Sequence, residues 1–129
     1  MQFEYATVLI ASALGLVHIA SASFAFKAQV GHRYTIGARD EDLVPEGVAG
    51  RLKRAQLNFQ ETFPILIALV LVLDHVQGFD DLSMFGAAAY LLGRLLFLPL
   101  YALGVPLYRT LAWKLATGGL VLLGVSAFI

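Results

Sequence analysis

Apolar residues run in four stretches, 4–26, 51–74, 81–102 and 107–128, and polar residues gather mainly in the gaps between them. A hydrocarbon core of about 30 Å is crossed by about 20 helical residues, so each stretch is long enough to span. A backbone in lipid must satisfy its own hydrogen bonds, and the pattern therefore predicts four spanning α-helices. The expected architecture is all-α, an integral membrane four-helix bundle forming one domain over residues 1–129. The first stretch is dense in Ala, Ser and Gly. Gly86 to Ala89 and Gly118-Gly119 give the third and fourth the same character, which predicts close helix packing or self-association. Asp80 and Asp81 predict the start of the third helix, and Gly104, Val105 and Pro106 a break before the fourth. The long connection 27–50 contains Gly31, Gly37, Pro45, Gly47 and Gly50 and reads as a polar loop, with Pro45 opening a turn ahead of the second helix.

Composition supports the same class: 59% of the residues are hydrophobic and only 14% charged, too apolar for an ordinary soluble domain. Charge then adds orientation. Lys27, Arg33 and Arg39 lie between the first and second stretches with Arg51, Lys53 and Arg54 in the opening turns of the second, and Arg94, Arg109 and Lys114 flank the connection between the third and fourth. The remaining connection holds Asp74, Asp80 and Asp81 without a cation, and the N-terminal segment holds only Glu4. The positive-inside rule makes both basic connections cytoplasmic and both termini non-cytoplasmic. The first stretch lacks a positive leader region and is expected to be retained. Nine cations against nine anions, with no solvated basic face, give no case for a nucleic-acid partner. Without cysteine there is no disulfide, thiolate nucleophile or Cys-based metal site.

Candidate chemistry concentrates in the second helix, in GRLKRAQLNFQETFPILIALVL. At 100° per residue Arg51, Arg54, Asn58 and Glu61 fall within about 80° of arc, so they share one face. Glu61 lies roughly 15 Å along the axis from Arg51, inside the bilayer, where a carboxylate needs a partner or a wet cavity. On the third helix Tyr90, Arg94 and Tyr101 share a face within about 40°, and the depth of Arg94 predicts a Glu61–Arg94 pair. Such a pair has a bland reading as glue between helices. Arg51, Arg54 and Arg109 stand near helix N-termini, where the dipole disfavours cations; the placement makes sense if an anion is bound among them. The competing reading is snorkelling to phosphate headgroups, which applies most to Lys53.

The histidines offer less. His18 is expected to be a satisfied interhelical hydrogen-bond donor, because no second metal-binding residue stands at i+3 or i+4; His32 and His75 fall in loops. No metal site is expected. No phosphate-binding glycine loop or Ser-His-Asp order is present. A transporter subunit would fit charges at membrane depth, but no inverted repeat accompanies them.

The combination RxxRAxxNxxE opening helix two, GRxxxxxxxY in helix three and Arg-Thr opening helix four resembles the MAPEG family, membrane-associated proteins of eicosanoid and glutathione metabolism, in a bacterial-type member. The resemblance covers nearly the whole chain. It implies a homotrimer of four-helix subunits in the bacterial inner membrane, with glutathione as co-substrate at the subunit interface near the cytoplasmic leaflet. It also implies a transferase or peroxidase acting on lipophilic electrophiles that enter from membrane lipids. By the same resemblance Arg54, Asn58 and Glu61 contact the tripeptide with help from Arg51, Tyr101 contacts or orients it, and Arg109 faces the sulfur with Thr110 beside it; Arg94 is counted with the binding residues through its expected pairing with Glu61. Leu57, Phe97 and Trp113 depart from residues seen in eicosanoid enzymes, although the Trp113 indole can still stack on a ligand. The family also includes a lipid-binding member without catalysis, so the alternative is a non-catalytic lipid- or small-molecule-binding protein of the same fold.

Overall fold

A computed structural model describes all 129 residues, which form helices and no strand. Four long helices are α1 (Phe3–Val30), α3 (Gly47–His75), α4 (Asp81–Ala102) and α5 (Pro106–Ser126). A fifth, short helix α2 (His32–Ile36) lies in the connection expected to be loop throughout. Two of the long helices outrun the expected bounds, while α4 matches 81–102 and α5 runs from one residue before 107 to two short of 128. α1 continues four residues past 26 through Lys27 and Gln29 and ends at Gly31, while α3 begins four residues before Arg51. Apolar content marks where lipid contact ends, whereas the helical backbone continues beyond it, through Lys27 to Val30 in α1 and from Gly47 in α3. His32 thus opens α2 and His75 closes α3, rather than lying in loops.

Helices α1, α3 and α4 are each long and apolar enough to cross a membrane. α5 is not among them, since Arg109, Thr110 and Lys114 dilute its first turns. Large apolar side chains such as Leu16, Phe24, Leu71, Phe85 and Val121 stand exposed around the bundle, as expected of a surface whose solvent is lipid.

The start of α4 is built as its sequence predicts. Asp80 accepts from the Ser83 backbone N–H at 2.7 Å and the Ser83 hydroxyl accepts from the Asp80 N–H at 2.9 Å, a complete capping box. Pro106 opens α5 at a position where a missing N–H costs nothing. Packing is tightest between α4 and α5. A Cβ added at Gly93 would lie 2.6 Å from Ala112 O and from Ala116 N, and one at Gly86 would lie 2.8 Å from Gly119 O. Only glycine lets the two backbones approach so closely. The core between the helices contains Leu14, Phe59, Leu66, Leu73, Tyr90 and Leu123. α1 packs on α3 and α4, and α5 on α4 and α3, so the basic ends of α3, α4 and α5 converge.

Candidate functional site

At that convergence a cavity of about 290 Å³ is lined by Asn58 from α3, Phe97 and Tyr101 from α4, and Arg109, Thr110 and Trp113 from α5. Spacing explains the selection: Phe97 and Tyr101 are one turn apart on α4, as are Arg109 and Trp113 on α5, so each pair projects from one face. Tyr101 is the centre. Arg54 Nε donates to its hydroxyl at 3.2 Å, and the Arg109 guanidinium carbon lies 4.5 Å from its ring centroid. The phenol ring therefore holds two cations close together through its electron-rich face and its oxygen. Phe97 packs on Tyr101 at 5.3 Å between centroids.

Of the predicted residues, Asn58, Tyr101, Arg109, Thr110 and Trp113 meet in the cavity wall, with Arg54 beside it on Tyr101. Thr110 spends its hydroxyl proton on Pro106 O at 3.0 Å, leaving the oxygen able to accept. Arg51 has another task. Its Nε donates to Ala102 O at 2.9 Å, satisfying a carbonyl at the last turn of α4, so a cation at the positive end of α3 answers the negative end of its neighbour.

The expected Glu61–Arg94 pair is replaced by another. Arg94 is fully buried and its Nη1 donates to Asn58 Oδ1 at 2.7 Å, while Glu61 is exposed on the outside of α3. Asn58 lies one turn nearer the basic end than Glu61, and α4 sits at the height of the former. Arg94 is absent from the cavity wall and reaches it by a hydrogen bond only through Asn58. Its guanidinium carbon lies 4.5 Å from the Phe97 ring centroid and 5.4 Å from that of Phe59. Tyr90, on the same face of α4, is also buried and pairs with the Thr62 hydroxyl at 3.2 Å. His18 departs from expectation too: both ring nitrogens are buried without a partner, and the ring stacks on Phe59 at 4.8 Å.

Phe97 is the wall residue that sequence reasoning treated only as a substitution. Its position three residues after Arg94 and four before Tyr101 was the available signal. On another side of α3 a second cavity of about 290 Å³ includes Lys27, Thr35, Arg39, Lys53 and Gln56 in its wall. The cations of α3 therefore serve two faces, Arg54 with Asn58 on one and Lys53 with Gln56 on the other.

The MAPEG family model matches residues 5–129, essentially the whole chain, and the chain belongs to the MAPEG family. It is an integral membrane protein of a family with glutathione-related transferase, peroxidase or related activities. Neither a curated protein nor a solved structure matches it.

Proposed function

We propose that this MAPEG family member is a glutathione-dependent transferase or peroxidase that attacks lipophilic electrophiles at its Arg-rich end. The observation that carries the reading is the pairing of Arg54 and Arg109 on Tyr101 at the mouth of a cavity with aromatic walls. Glutathione has two carboxylates, one ammonium and a thiol. Arg54, aided by Arg51, answers carboxylate charge, the exposed Glu61 answers the ammonium, and Thr110 lies beside Arg109 at the sulfur. Only the thiolate is an effective nucleophile. Arg109, with the free N–H groups of the first turn of α5, supports the thiolate; each unit of pKa depression takes about 1.4 kcal/mol of differential stabilisation. Phe97 and Trp113 supply an apolar side from which a lipid-soluble electrophile approaches.

The cavity is open to the exterior of the chain, and Glu61 stands on that exterior at membrane depth. Both features fit a site closed by a neighbouring copy in a homotrimer, since a lone carboxylate facing lipid is costly. In this reading α5 is the fourth span and the Arg-rich end is cytoplasmic in a bacterial inner membrane, with both termini on the other side. Cross-linking in native membranes is expected to trap a trimer; a ladder that never passes a dimer would contradict it.

Turnover of a chlorodinitrobenzene-like electrophile by detergent-purified protein tests the activity. Arg109→Ala is expected to lower the rate about 100-fold, the scale seen when one charge-stabilising donor is removed. The second reading, a non-catalytic lipid- or small-molecule-binding protein, is favoured by the apolar Leu57, Phe97 and Trp113. Absence of turnover in the wild type, with retained binding of a lipophilic ligand, would support that reading and overturn the first.

A further inference from the structure

The geometry points to Arg94 as a positioning residue that fixes the Asn58 amide with its NH₂ group turned into the cavity, so that Asn58 presents only donors to a bound ligand. A guanidinium carries five N–H donors and no acceptor. The amide atom 2.7 Å from Arg94 Nη1 must therefore be the oxygen, and the nitrogen occupies the other branch of the amide. Asn58 lines the cavity whereas Arg94 does not. Arg94 is itself immobilised: it has no exposed surface, lies against the rings of Phe97 and Phe59, and follows Gly93, whose backbone is pressed against α5.

The choice of partner is informative. A buried arginine is ordinarily neutralised by a carboxylate, yet here Nε and Nη2 have no partner and the one hydrogen bond goes to a neutral amide. An aspartate at position 58 would satisfy the charge better but would offer the cavity an acceptor. Asparagine keeps the bond to Arg94 and leaves two N–H donors for the ligand. The group bound at Asn58 is thus a hydrogen-bond acceptor, a carboxylate or peptide carbonyl, and not an ammonium. This rests on the glutathione reading for the identity of the ligand, but not for the orientation of the amide.

Asn58→Asp separates the two roles, because it preserves the shape and the bond from Arg94 while replacing donors by acceptors. In detergent it is expected to melt at or above the wild-type temperature, whereas Asn58→Leu, which strands Arg94, melts lower. The KM for glutathione is expected to rise about tenfold or more in Asn58→Asp with kcat little changed, the scale of one lost charge-assisted hydrogen bond. Arg94→Met, which frees the amide, raises the same KM, and Arg94→Lys restores much of it. A wild-type KM in Asn58→Asp would overturn the proposal while leaving the proposed activity intact. If the wild type fails to bind glutathione, the functional reading falls and the melting series still decides the amide lock: Asn58→Asp as unstable as Asn58→Leu overturns it.

Discussion

The two ends of the bundle treat polar groups in opposite ways. At the acidic end Glu4 of α1, almost fully buried, accepts from the hydroxyl of Ser83 on α4. Ser83 also completes the capping box with Asp80, and Asp80 accepts from Ser126 of α5 at 2.8 Å. Three helices are stapled by short side chains, although the Thr7 hydroxyl one turn from Glu4 is buried without a partner. At the basic end long side chains hold one another through rings and single bonds. Arg54 and Arg109 share Tyr101, and two nitrogens of Arg94 go without partners. Unsatisfied buried donors are costly, and a fold retains them where some other requirement competes with stability. In the proposed reading the acidic end carries stability and the basic end carries binding.

The seam between α4 and α5 joins the two ends, and breaking it is expected to have the largest effect. Gly93→Val places a branched side chain where even a Cβ lies 2.6 Å from two backbone atoms of α5. A loss of about 3 kcal/mol, read as a fall in melting temperature in detergent together with loss of glutathione binding, is expected from such overpacking. Unchanged melting would show that the close approach of these backbones is not what holds the ends together. Ser83→Ala acts on the acidic end alone, removing the hydroxyl half of the capping box and leaving the buried Glu4 without its partner, while the Ser83 backbone N–H still donates to Asp80. It should lower stability by about 1–3 kcal/mol while the KM for glutathione stays near wild type. A shift in KM as large as that expected of Asn58→Asp would erase the division between the ends.

Glu61→Gln is the reciprocal change. Because Glu61 is exposed and Arg94 bonds to Asn58, the apo protein should melt close to wild type while glutathione binding weakens through loss of the ammonium partner. A large fall in melting temperature would restore a structural pair with Arg94. The smallest effect concerns acid. Hydrogen bonds from the Ser83 backbone N–H, then from the Ser126 hydroxyl, hold the Asp80 carboxyl below its ordinary value of 3.8. A carboxyl with a depressed folded-state pKa contributes stability that is complete above its unfolded value and lost as pH falls through its folded value. The melting temperature should hold from pH 7 to about 5 and drop below about pH 4, with a smaller drop in Asp80→Asn. An identical acid profile in that variant would remove Asp80 from the staple.

Much of the contrast was legible in the sequence, but not all of it. Helical periodicity placed Arg54 and Asn58 on one face of α3, and the Asp80 cap marked the start of α4 to the residue. The partner of Arg94 was not legible. Asn58 and Glu61 differ by three residues, about 4.5 Å along the axis, and periodicity gives a face without the vertical offset between two packed helices. The sequence sets Arg51 against the dipole of its own helix, whereas its contact is the last turn of α4. The unpartnered nitrogens of His18 were equally out of reach, because a histidine in an apolar run specifies neither its neighbour nor its hydrogen bonds. Helix α2 lay hidden because the short segment HRYTI sits among glycines and charges that read as loop.

Titration calorimetry of glutathione into detergent-purified wild-type protein tests the central claim most directly. A saturable heat at millimolar ligand is expected, lost in Arg54→Ala and retained in Ser83→Ala. The absence of heat and of any protection from thermal unfolding in the wild type would contradict it.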